Sequence, residues 1–105
     1  MDLMKMMKQA QEIQGRMQKM QAELEATEVT GSAGGGLVSV ILSAKGALKK
    51  ISIDASLMKP AEKEIVEDLI AAAHADARAK AERAMEEKMR ELTGGLPLPP
   101  GLKLF

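Results

Sequence analysis

The sequence predicts an α+β protomer of order α-β-β-β-α, and three observations carry that prediction. Leu3, Met6, Ala10, Ile13, Met17, Met20 and Leu24 recur at alternating intervals of three and four, the spacing of a helix that packs against another helix. Residues 28–54 then break into short β-like runs divided by glycine-bearing reversals. A second long amphipathic stretch follows Pro60, a residue suited to the first turn of a helix. The 105 residues read as one domain: a helix over 1–27, a three-stranded meander over 28–54, a helix over 60–92 and an extended tail over 93–105.

Taken in order, a first helix over residues 3–26 is about 36 Å long, more than a body of this size can cover, so it is expected to project or to pair. Gly15 falls on its outer face and weakens it by about 1 kcal/mol relative to alanine. Strands are expected at 28–32, 37–43 and 48–54. Gly31, Gly34, Gly35 and Gly36 are read as turn glycines, and Gly46 as the second reversal. Val38, Val40 and Leu42 lie on one face of the middle strand, while Ile51 and Ile53 alternate with Lys50 and Ser52. One sheet face is therefore expected to cover an apolar core.

The second helix opens with Glu62, Glu64, Glu67 and Asp68, which complement its macrodipole. Its apolar stripe is Val66, Ile70, Ala73, Ala77, Ala81, Met85 and Leu92, with small residues in the middle that let another element approach closely. Thr93-Gly94-Gly95 is the expected stop. The prolines at 97, 99 and 100 keep the tail from being helical, and Leu96, Leu98, Leu102, Leu104 and Phe105 need a groove to lie in. One sheet and two such helices cannot bury their apolar faces within a single subunit, so an obligate homodimer is expected.

Fifteen Lys and Arg balance fifteen Asp and Glu, so any anionic partner must be met by a local stripe. Net charge is +2 over residues 1–20, −3 over 21–28, +3 over 29–59 and −3 over 60–92. The absence of cysteine excludes disulfides, thiolate zinc sites and cysteine nucleophiles. Phe105 is the only aromatic residue, which excludes base-stacking platforms for single strands and leaves contact with a duplex backbone as the nucleic-acid option. The apolar stretch at 37–42 is too short to span a bilayer and no signal-peptide pattern opens the chain, so a soluble cytoplasmic protein is expected.

Enzymatic constellations fail on residue type. The glycines fit neither G-x-G-x-x-G nor the P-loop, and they precede a strand, not a helix. His74 is the only histidine, so neither a paired-histidine metal site nor a triad with a second histidine can form. The acidic residues at 62–68 and Glu86-Glu87 lie among Lys63, Arg83 and Arg90 and read as a solvated helical face. No enzyme activity, cofactor, metal or small-molecule substrate is expected. The first helix lacks aromatic anchors for a membrane surface, and its methionines at 6, 17 and 20 read as packing residues on the seam.

At 100° per residue, Lys5, Lys8, Arg16 and Lys19 fall within an arc of about 80°, roughly opposite the seam. Two copies of such a stripe, fixed in a dimer, can track duplex phosphates where one copy is too sparse. Cations of the second helix stand in i,i+4 pairs, Asp76 with Lys80, Arg78 with Glu82, Arg83 with Glu87 and Glu86 with Arg90. Arg78, Lys80, Arg83 and Lys88 are therefore the weaker DNA-contact candidates. The competing reading is a cytosolic adaptor whose helical seams bind another protein.

The chain also resembles the YbaB/EbfC family. The resemblance rests on residues 4–24 with their Gln-Met-Gln-Lys-Met character, and on Glu28-Val29-Thr30-Gly31-Ser32-Ala33-Gly34-Gly35-Gly36-Leu37-Val38. It continues through Glu67-Asp68-Leu69-Ile70-Ala71-Ala72-Ala73, Thr93-Gly94-Gly95-Leu96 and the Pro-Pro-Gly of the tail. It implies an α-β-β-β-α protomer, a tweezer-like homodimer with projecting helices, a place in the bacterial nucleoid, and helix-borne binding of double-stranded DNA that alters DNA conformation and gene expression.

Overall fold

The computed structural model describes residues 2–92. Helix α1 (Leu3–Ala26) is followed by strands β1 (Glu28–Ala33), β2 (Val38–Ser43) and β3 (Leu48–Ile53), then by helix α2 (Lys63–Leu92). The strands form one antiparallel sheet in the order β1-β2-β3. The expected tail at 93–105 and the expected stop at Thr93 lie outside the described residues.

Local chemistry sets the boundaries. The Asp2 carboxylate accepts from the Met4 amide at 3.1 Å and caps α1. At its far end the Thr27 amide and hydroxyl both donate to the Glu23 carbonyl, at 2.9 and 2.7 Å. Gly34, Gly35 and Gly36 turn the first hairpin at φ of 67°, 68° and 96°, values that only glycine adopts at little cost. Pro60 opens a 3-10 turn, Pro60–Glu62, and α2 proper begins at Lys63. A second short turn, Ala55–Leu57, lies in the expected connection and inserts Leu57 into the core.

Val38, Val40 and Leu42 face the middle of α2 at Ala73 and Ala77, with Val29, Ala33, Ile53, Val66, Leu69 and Ile70 around them. The alanines of α2 work as the sequence suggests, because they let the helix lie close on the sheet. Gly31 does not. It is a mid-strand residue of β1, paired with Val40, and a side chain there would run into the Ala73 carbonyl and the Ala77 backbone. Its reading as a turn glycine is corrected: the strand has no room for a Cβ where α2 crosses it.

α2 packs across β1 and β2 and barely reaches β3. Ile51 and Leu48 pair with Val40 and Leu42 and so share their face, yet they remain 41 % and 56 % exposed. The sheet face expected to cover an apolar core does so through β1, β2 and Ile53 of β3, while Leu48 and Ile51 of the same face stay open in the protomer.

α1 joins this body through a separate small cluster. Met20 and Leu24 pack with Ala44 against Ala84, Met85, Met89 and Leu92, and the Ala44 amide donates to the carbonyls of Leu24 and Thr27 at 3.1 and 2.9 Å. Among the described residues the N-terminal half of the seam has no such cover. Leu3, Met6, Ala10 and Ile13 are exposed, and the molecule extends 70 Å along its long axis against 24 and 16 Å across.

Candidate nucleic-acid interface

Because α1 is an unbroken helix from Leu3 to Ala26, its periodicity places Lys5, Lys8, Arg16 and Lys19 on one side, with Arg16 at the margin next to Met20. All four are exposed, and among the described residues none has an ion-pair partner. Lys5 and Lys8 border a shallow concavity at the projecting end with Asp2, Met4, Met7 and Gln11. Arg16 and Lys19 border a cleft where α1 meets α2, together with Met20, Glu23, Lys88, Glu91 and Leu92. The stripe therefore runs from the free end to the helix junction.

That cleft brings Lys88 to Glu23, across 65 residues of chain, and beside Arg16 and Lys19, a meeting that sequence spacing alone does not reveal. Lys88 is not free: its Nζ donates to Glu23 at 3.0 Å and lies 3.6 Å from Glu91. The hydrogen bond from Lys88, with its charge, lowers the Glu23 carboxyl pKa, and nearby Lys19 adds to the effect. The same bond raises the Lys88 pKa. One further acid was legible and overlooked. Glu12 sits at the centre of the 80° arc by the same rotation that groups the cations, so it tempers the stripe between Lys8 and Arg16.

The remaining α2 cations are held by their own protomer. Arg78 lies 3.6 Å from Glu82, and Arg83 donates its Nε to the Ala79 carbonyl at 3.5 Å, in place of the expected pairing with Glu87. Lys80 is 3.3 Å from Asp76 and donates to the Thr30 carbonyl at 2.8 Å. Asp76 in turn accepts from the Ser32 amide at 3.0 Å. That backbone hydrogen bond, followed by the one from Lys80, lowers the Asp76 pKa. The Asp76 and Lys80 spacing is a helical ion pair in sequence; in the fold it also caps the outer edge of β1.

His74 is exposed and lines a shallow depression with Leu42, Lys45, Gly46 and Arg78. Among the described residues, no group of three or more histidine, aspartate or glutamate side chains is placed to hold a metal ion. No described helix is long and apolar enough to cross a membrane.

Comparison with known proteins bears on this arrangement. The profile of the YbaB/EbfC DNA-binding family matches residues 1–96. A protein of Methylocella silvestris named "Nucleoid-associated protein" is 59 % identical over 103 residues, covering 98 % of this chain and 96 % of that one. Proteins of the same name from Rhodopseudomonas palustris and Brucella ovis are 60 % and 59 % identical, again over 98 % of this chain and 97 % and 96 % of theirs. The crystal structure of an uncharacterised protein from Helicobacter pylori superposes with a TM-score of 0.69 at 26 % identity, covering 90 % of this chain and 95 % of that one. With its helix-sheet-helix order matched in a solved structure and its sequence matched almost throughout, the chain belongs to the YbaB/EbfC DNA-binding family.

Proposed function

We propose that this chain is a nucleoid-associated protein that binds duplex DNA as a homodimer, through phosphate contacts along α1, without carrying out a reaction. In this reading it acts in the cytoplasm, at the nucleoid, where it alters DNA conformation and through it gene expression. One observation carries the assignment to α1: Lys5, Lys8, Arg16 and Lys19 are exposed on a helix that extends past the body and have no ion-pair partner among the described residues, whereas Arg78, Lys80 and Lys88 are engaged within the protomer. Arg83 is the α2 candidate with the weakest internal tie. A fully accessible cation can exchange its counterions for phosphate, while one already holding a carboxylate gains less.

The homodimer is supported by the uncovered apolar residues of β3, Leu48 and Ile51. Two copies meeting there double a stripe that is sparse in one. Contacts to phosphates without aromatic or bidentate base-reading groups predict binding that tolerates sequence. A titration of duplex DNA at two salt concentrations tests this reading. With half to all of eight cations neutralising phosphates, the slope of log affinity against log salt should be about −4 to −7. A slope near zero contradicts the proposal and favours a protein partner for the helices.

A further inference from the structure

The two flanks of α2 meet different parts of the sheet. Asp76 and Lys80 lie about 200° and about 240° around the helix from His74, on the flank that grips β1. His74 and Arg78, one turn apart, stand on the other flank, beside the turn between β2 and β3. That turn is fixed from within: the Ser43 amide donates to the Ala47 carbonyl and the Gly46 amide to the Ser43 carbonyl, both at 2.8 Å, and the Ala47 amide donates to the Ser43 hydroxyl at 3.1 Å. Ala44 is buried in the cluster that holds α1, so Lys45 leaves the backbone at a fixed point. Lys45, Gly46, His74 and Arg78 surround a depression of about 230 Å³ whose floor is the buried Leu42.

We propose that this depression is a binding site for a phosphate oxyanion. Among the described residues that border it none is acidic. Lys45 and His74 are exposed and have neither an ion-pair nor a side-chain hydrogen-bond partner among the described residues. Arg78 meets Glu82 through Nε at 3.6 Å, in a pair whose side chains are 70 % and 67 % exposed. So open a pair contributes little, and the terminal guanidinium nitrogens remain to donate. A histidine ring offers at least one N–H, a lysine three and an arginine a planar fork. A phosphate has enough acceptor oxygens to engage all three side chains at once, two of them side by side on the guanidinium; chloride, a single sphere, does not. The donors come from α2 and from a turn about thirty residues earlier, which meet only in the fold, so no sequence motif marks the site. Its occupant is a free phosphate or a phosphodiester of a DNA backbone, which present the same oxygens. The site lies on the body of the protomer and stands independently of the α1 stripe.

His74 is the only histidine, so its ring protons give an unambiguous nuclear magnetic resonance signal in the full chain. Inorganic phosphate, exchanged for chloride at constant pH and ionic strength, should shift that signal along a saturating curve. Lys45→Gln and Arg78→Gln should each weaken the apparent affinity about fivefold or more, with the melting temperature nearly unchanged because both side chains are exposed. A shift that does not saturate, one that chloride reproduces, or one that both variants retain at full affinity overturns the proposal. A short duplex then separates the two sources of phosphate. A DNA phosphodiester as occupant moves the His74 signal, and moves it less in Lys45→Gln; a site for free phosphate leaves the signal in place with duplex present and still fills when inorganic phosphate is added. The phosphate titration contains no DNA, so its failure is distinct from a failure of DNA binding by α1.

Discussion

The two edges of the sheet are treated in opposite ways. At β1, α2 crosses close enough for Asp76 to take the Ser32 amide and for Lys80 to donate to the Thr30 carbonyl, so two of the outward polar groups of that strand already have partners. At β3, the core reaches only Ile53 and α2 supplies no cap: among the described residues no side-chain hydrogen bond reaches the strand, and Leu48 and Ile51 stay exposed on the core side. A free edge is a template for another chain, and proteins usually blunt it with charge or cover it. Two free edges would allow head-to-tail growth into an open array. With one closed, association through the other is confined to β3 meeting β3, an isologous contact that stops at two. In the proposed dimer the cap on β1 would favour a closed pair over a polymer, and the pair would set how many α1 stripes meet one duplex.

The largest expected effect comes from forcing α2 away from β1. Gly31→Val places a branched side chain against the backbone at Ala73 and Ala77, and overpacking alone costs about 1–3 kcal/mol before the helix moves. Thermal melting should fall by several degrees or more, and light scattering should detect assemblies larger than a dimer once the Asp76 and Lys80 cap is displaced. A variant that melts normally and stays dimeric means the close crossing does not hold the edge closed.

Next in size, Ile51→Asp puts a carboxylate into the uncovered face of β3 without a partner. Sedimentation should show the dimer weakened at least tenfold, with each protomer still folded, because Ile51 contributes little to the core of its own subunit. Undiminished dimerisation moves the interface away from β3.

The smallest effect tests the cap by acid. Asp76 has a lowered pKa in the folded chain, from an ordinary value of 3.8, so its contribution is complete above about pH 3.8 and is lost as pH falls through the lower folded value. Asp76→Asn cannot titrate and should flatten the acid side of the stability profile, measured as melting temperature between about pH 5 and about pH 2. Parallel profiles for the two proteins contradict the assigned hydrogen bond.

Much of this molecule is legible in sequence because two periodicities differ. The three-four spacing of α1, the alternation of Val38, Val40 and Leu42, and the alanine stripe at 73, 77 and 81 each follow from local geometry. Features set by crossings are not written locally. Gly31 looks like its neighbours Gly34 to Gly36, and only the passage of α2 separates a packing glycine from turn glycines. Ile51 alternates as a core residue should, but its exposure depends on how far one helix spans three strands. Lys88 has acids within helical reach, yet it finds Glu23 on the other helix. Glu12 is the opposite case: its place within the basic arc needed only the rotation already applied to the lysines.

The account turns on α1 as the DNA-binding element, and the most direct test separates affinity from stability. Lys8→Ala with Lys19→Ala, present in both subunits, removes four exposed cations from a dimer without touching Met20, Leu24 or the β3 face. Exposed lysines contribute little to folding, so the dimer and its melting temperature should be nearly unchanged. Affinity for unrelated duplexes should fall by similar factors, and the salt slope should become shallower by up to about 4. Unchanged affinity and slope in a folded, dimeric double variant would contradict the account and shift DNA contact to α2 or the strand loops.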